Sequence, residues 1–105
     1  MPAENDDIIH WWGLTSELED VKDRTNDFIL SDYHPLYLDL GVGNAFGDDY
    51  ESYQTWKDFY KWSPKAPEGF KGRILGAEAP LWGETNNENT HFQKLFLRSS
   101  ILGDM

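Results

Sequence analysis

Three short apolar runs, spaced by polar stretches, set the pattern of this 105-residue chain. The first, Asp7-Ile8-Ile9-His10-Trp11-Trp12, is rich in β-branched and aromatic residues and predicts a strand. Gly13-Leu14-Thr15 follows as a turn. Ser16, with Glu19 three residues on, forms a capping box that opens a helix from about Glu17 to Arg24, with Leu18 and Val21 as its buried stripe. Phe28-Ile29-Leu30-Ser31 is a second apolar strand, and this strand–helix–strand order implies a parallel pair with a right-handed crossover. The next stretch, Asp32 to about Lys71, is irregular and punctuated by Gly41, Gly43, Gly47, Pro35, Pro64 and Pro67. Within it Tyr53 to Tyr60 predicts a helix whose aromatic face includes Trp56 and Tyr60. A connection this long inside an α/β unit is usually functional rather than filler. Arg73 to Ala79 predicts the third strand, and Asn86 to Thr90 a polar turn. Asn89 or Thr90 caps a final helix with Phe92, Leu95, Phe96 and Ser99 on one face.

The fold class expected from this order is α/β. Three βα units with long loops after the strands describe part of a larger parallel sheet, because alone they leave sheet edges open and helices without a partner layer. The last helix runs to Met105 as though cut, so the expectation is a fragment, one domain over residues 1–105.

Composition narrows the partners. Nineteen acidic against nine basic side chains give a formal charge of −10, which argues against a nucleic-acid partner. No apolar run reaches membrane-spanning length, and the acidic start shows no signal-peptide pattern. With no cysteine, disulfides and thiolate metal sites are unavailable, and His10, His34 and His91 are too scattered to hold a metal. No cofactor is expected. Five Trp, five Tyr and six Phe mark a folded chain, several of them set among Gly, Asp and Ser in stretches that read as loops.

Two segments carry chemistry. In Gly76-Ala77-Glu78-Ala79-Pro80-Leu81-Trp82-Gly83-Glu84 an extended backbone would point Glu78, Pro80, Trp82 and Glu84 one way. An indole can cover the apolar face of a pyranose while a neighbouring carboxylate accepts hydrogen bonds from its hydroxyls. Tyr37-Leu38-Asp39 repeats the device with a phenol and a carboxylate.

Phe28-Ile-Leu-Ser31, Pro35-Leu-Tyr37-Leu-Asp39-Leu, Trp56-Lys-Asp-Phe-Tyr60 and Ile74-Leu-Gly-Ala-Glu78-Ala-Pro-Leu-Trp82-Gly-Glu84, in that order and spacing, resemble the β-N-acetylhexosaminidases of glycoside hydrolase family 20. Ile8-Ile-His-Trp-Trp12 looks like that family's sixth barrel strand, and Leu97-Arg98 resembles its last-helix segment, where the family usually has Pro-Arg. The resemblance implies a partial (β/α)8 TIM barrel comprising about the last three βα units, strands six to eight. The first five strands, and the Asp-Glu pair on strand four, are then absent.

By that resemblance the parent enzyme removes terminal N-acetylglucosamine or N-acetylgalactosamine by substrate-assisted retention, an exception to the two-carboxylate scheme. Tyr37 would be catalytic, donating a hydrogen bond to the acetamido oxygen that attacks the anomeric carbon. Asp39 and Glu84 would accept from the sugar's O4 and O6 hydroxyls, Trp82 would floor the ring, and Trp12 would wall the acetamido methyl. Trp11, on the opposite strand face, would pack under helices, an assignment that a shift of parity would exchange with Trp12. Trp56 is a rim candidate. Glu78 reads as structural, paired with an Arg from a missing strand. The implied partners are terminal N-acetylhexosamine of glycans, chitin oligomers or glycoconjugates, and the missing N-terminal barrel strands or a chain carrying them. The implied setting is secreted or lysosomal. The isolated chain is expected to hydrolyse nothing; the alternative is a non-catalytic carbohydrate-binding or regulatory module derived from the same fold.

Overall fold

The computed structural model describes residues 2–39, 55–83 and 86–104. Glu84, the Gly-rich stretch 41–47 and the predicted helix start at Tyr53 lie outside them. The chain divides into two compact units, Met1–Tyr33 with Ser63–Glu78, and His34–Trp62 with Ala79–Met105.

The first unit is built on three parallel strands in the order β1 (Ile8–Trp11), β2 (Asp27–Leu30), β3 (Arg73–Ala77). The parallel pairing expected from the first two apolar runs is present, in the register Ile8 with Asp27 through Trp11 with Leu30. The third strand is two residues shorter than its apolar pattern suggests and carries an irregularity. Phe28 pairs with Ile74 but Ile29 pairs with Gly76, so Leu75 is an extra residue. Such a bulge reverses side-chain alternation beyond it. Phe28 and Leu30 point to the buried face with Leu18, and all three are fully enclosed. Phe70 packs on Phe28 with ring centroids 5.3 Å apart.

Where a helix from Glu17 to Arg24 was expected, the chain forms a 3-10 segment, Thr15–Val21. The reason lies in competing hydrogen bonds. The Asp32 carboxylate accepts from both the backbone N–H and the hydroxyl of Thr15, at 2.9 and 2.5 Å, and Glu17 accepts from the Leu14 N–H at 2.8 Å. These start the turn before Ser16, and the Glu19 carboxylate accepts from Lys22. Asn26, 1% exposed, secures the chain ahead of β1 by donating to the carbonyls of Glu4 and Asp7 at 2.5 and 2.9 Å.

The second unit holds two helices, α1 (Trp56–Lys61) and α2 (His91–Asp104). Thr55 caps α1: its hydroxyl accepts from the Lys57 N–H at 3.2 Å, and Asp58 answers by accepting from the Thr55 N–H at 2.6 Å. The bond from the Thr55 N–H is the main reason the Asp58 carboxyl lies below its usual range. Leu36, Leu38 and Phe59 are fully buried. On α2 the aromatic stripe is not the enclosed part. Phe92 and Phe96 are exposed and stack on each other, whereas the buried residue is Arg98. Its guanidinium donates to the Leu38 carbonyl and lies 5.7 Å from the Phe59 ring centre, a hydrogen bond and a cation–π contact. Among the described residues no helix is long and apolar enough to cross a membrane.

Two glycines of the first unit offer a controlled test of this packing. A Cβ on Gly72 would lie 2.7 Å from the Asn26 carbonyl and 2.8 Å from the Phe28 ring, whereas one on Gly76 meets nothing within 4 Å. Gly72→Ala should destabilise by about 1–3 kcal/mol, read as a fall in the urea midpoint, with Gly76→Ala close to the parent. Equal midpoints for the two variants would contradict this core.

Candidate sugar-binding site

The second unit draws the Tyr37-Leu38-Asp39 segment and the Pro80–Trp82 segment together through one peptide. The Leu38 N–H donates to the Pro80 carbonyl at 2.8 Å, and the Leu38 carbonyl accepts from Arg98. With its side chain also buried, Leu38 is fixed, and so are its neighbours. Tyr37 and Trp82 then lie with ring centres 6.1 Å apart at 53°. Asp39, 5% exposed, accepts from the Trp82 backbone N–H at 3.4 Å. Trp82 itself is 38% exposed, so part of an indole face is presented to solvent.

Electrostatics here favour a neutral phenol. Burial raises the Tyr37 pKa above the ordinary value, the indole N–H of Trp82 works against that, and the Asp39 carboxylate adds to the rise. An indole N–H only donates. The Tyr37 oxygen is therefore the acceptor in that bond, which does not use the phenol's own hydrogen. A half-buried phenol beside a buried carboxylate and an aromatic platform can orient a polar, partly apolar ring such as a sugar.

Trp12 belongs to the first unit. It is 56% exposed and meets His10 edge-on, ring centres 5.9 Å apart at 85°. Trp11 alternates to the other face of β1, is half-buried, and donates its indole N–H to the Leu14 carbonyl at 3.0 Å. Trp56 sits exposed on α1 with Lys57 over its ring. Glu84 lies outside the described residues.

Two features escaped sequence reasoning. Arg98 was visible only as part of a Leu-Arg pair, with no pattern to announce its burial. Glu78, expected to pair with an Arg from a missing strand, has in this chain a side chain 60% exposed, with its carboxylate 3.4 Å from the His10 imidazole. The bulge at Leu75 accounts for the His10 contact: it turns Glu78 off the Phe28 and Leu30 face and onto that of His10 and Ser31. Among the described residues no group of three or more His, Cys, Asp or Glu is placed to hold a metal ion.

The sequence matches the family described as glycosyl hydrolase family 20, catalytic domain, over residues 1–104. The chain belongs to that family. It is 32% identical over 102 residues to the probable beta-hexosaminidase fdl of Drosophila melanogaster, covering 90% of this chain and 16% of that protein. To the chitooligosaccharidolytic beta-N-acetylglucosaminidase of Ostrinia furnacalis it is 29% identical over 107 residues, 96% of this chain and 18% of the relative. The chain thus spans less than a fifth of the length of these family 20 relatives. The fold is similar to that of a mutant Streptomyces plicatus beta-hexosaminidase in complex with its product GlcNAc, with a TM-score of 0.70 at 23% identity over 92% of this chain and 22% of that one. The family 20 β-N-acetylhexosaminidase of Streptomyces coelicolor gives the same figures, TM-score 0.70 and 23% identity. At that identity the likeness establishes the fold: three parallel strands forming part of a family 20 domain.

The environment of Tyr37 gives a signed prediction. A raised pKa contributes stability that is present below about pH 10 and is lost as pH climbs through the raised value. In Asp39→Asn the like charge is gone, so Tyr37 should titrate at lower pH than in the parent, followed by the 13Cζ signal of labelled tyrosine. An unchanged or higher midpoint would contradict the arrangement.

Proposed function

We propose that this chain supplies the sugar-binding part of a β-N-acetylhexosaminidase acting on terminal, non-reducing N-acetylglucosamine or N-acetylgalactosamine by substrate-assisted retaining catalysis. The observation that carries the reading is the convergence of Tyr37, Asp39 and Trp82 around the clamped Leu38 peptide. In this reading the neutral Tyr37 phenol donates to the acetamido oxygen. That bond orients the oxygen for attack on the anomeric carbon and stabilises the oxazolinium that forms as the glycosidic bond breaks. Asp39 and Glu84 accept from the O4 and O6 hydroxyls, which selects a terminal sugar because a 4-linked neighbour would collide there. Trp82 lies under the ring. Trp12 walls the acetamido methyl and enters through the family resemblance alone, as does Glu84. Trp56 is a rim contact for the aglycone.

The chain corresponds in this proposal to strands six to eight of the barrel. The acid/base pair and the remaining strands come from the rest of the domain, whether in one polypeptide or a second. The open sheet face supports this: Ile8, Trp12 and Leu75 are large apolar side chains left 58%, 56% and 47% exposed, a surface that further strands would cover. Chitin oligomers, N-glycans and other glycoconjugates all present the required terminal sugar, and a secreted or lysosomal setting accompanies the proposal.

Two measurements test it. In a complete catalytic domain carrying this sequence, Tyr37→Phe should lower kcat on an aryl N-acetylglucosaminide by roughly 10²- to 10³-fold with a much smaller change in KM. A fall confined to KM would contradict the assigned role. The 105-residue chain by itself should show no turnover; sugar-dependent quenching of Trp82 without turnover in any assembly would favour a binding module instead.

A further inference from the structure

On the open face of the sheet, three side chains from three different strands or strand ends converge. His10 Nε2 lies 2.6 Å from Ser31 Oγ and 3.4 Å from Glu78 Oε2. Ser31 is 1% exposed and further fixed by its backbone N–H, which donates to the Trp11 carbonyl at 2.7 Å. Glu78 is brought to the same face by the Leu75 bulge and held by its N–H donating to the Leu30 carbonyl at 2.8 Å. Both oxygens face a single ring nitrogen. A lone pair there would confront a carboxylate, so the tautomer with hydrogen on Nε2 is favoured, donating to Ser31 Oγ with Glu78 as electrostatic support. The imidazole plane is therefore fixed, and its edge-on neighbour is Trp12, at 5.9 Å and 85°.

We infer that Ser31, His10 and Glu78 form a positioning relay whose output is the orientation of the Trp12 indole. The inference rests on the proposed role of Trp12 at the acetamido pocket. None of the three needs to touch the sugar. A tryptophan side chain has several staggered rotamers open to it in principle. Holding it edge-on to a hydrogen-bonded imidazole removes that freedom before substrate arrives, and preorganisation of this kind acts on affinity more than on the chemical step. The bulge acquires a purpose on this view: in regular alternation Glu78 would point into the Phe28 and Leu30 face, and the relay would lose its carboxylate.

The test uses the complete catalytic domain labelled with 5-fluorotryptophan, the Trp12 resonance being assigned by Trp12→Phe. Ser31→Ala should broaden and shift the Trp12 line and raise KM for an aryl N-acetylglucosaminide roughly fivefold, with kcat within about twofold of the parent. Glu78→Gln, isosteric, should act in the same direction with smaller size and provides the readout should Ser31→Ala not fold. Combined with Trp12→Phe, either substitution should add less than about 1.5-fold to KM, because its effect passes through the indole. Effects on KM that multiply independently, or an unmoved Trp12 line in both variants, would overturn the relay. Should Trp12→Phe itself leave KM unchanged while the line still responds, the assignment of Trp12 to the pocket fails and the relay stands.

Discussion

The candidate site depends on the peptide of Leu38. Its N–H is held by the Pro80 carbonyl, its carbonyl by the buried Arg98 guanidinium, and its side chain by the apolar interior of the second unit. Each restraint is modest alone, but a residue fixed at both backbone groups and at its side chain leaves its neighbours little freedom. Tyr37 and Asp39 flank it, and the Pro80 bond that completes the restraint also delivers Trp82. Three of the groups proposed to hold the sugar are thus set by one short stretch of hydrogen bonds and not by long side chains reaching from separate surfaces. Rigid placement of this kind is what recognition of a small polar ring requires.

A buried arginine is costly unless each part of it is used. Arg98 offsets part of that cost by bonding the Leu38 carbonyl and laying its planar group near the Phe59 ring. This accounts for the odd partition of α2, in which Phe92 and Phe96 are left outside while a cation is enclosed. Helical periodicity treats aromatic residues as the buried stripe and arginine as solvated. Both assumptions fail where a cation is required to satisfy a loop carbonyl.

Much of the rest was legible. The β-branched and aromatic runs fixed the three strands, and their spacing indicated parallel pairing. The Trp82 and Tyr37-Leu38-Asp39 segments announced themselves by placing aromatic rings beside carboxylates. The failures share a cause, which is that tertiary hydrogen bonds redirect local preference. Asp32, from beyond β2, seized Thr15 and turned an expected α-helix into a 3-10 segment. One inserted residue at Leu75 sent Glu78 to the opposite face from simple alternation, where it meets His10. Neither the insertion nor the long-range acceptor leaves a mark on the periodicity of the strand it affects.

The proposed assignment of Tyr37, Asp39 and Trp82 to one subsite is tested most directly by a crystal structure of a complete catalytic domain carrying this sequence with N-acetylglucosamine bound. The account predicts the pyranose ring lying on the Trp82 indole, the Tyr37 hydroxyl within hydrogen-bond distance of the acetamido oxygen, and Asp39 accepting from a ring hydroxyl. A sugar bound with its acetamido group turned away from Tyr37, or bound away from Trp82 altogether, would contradict it.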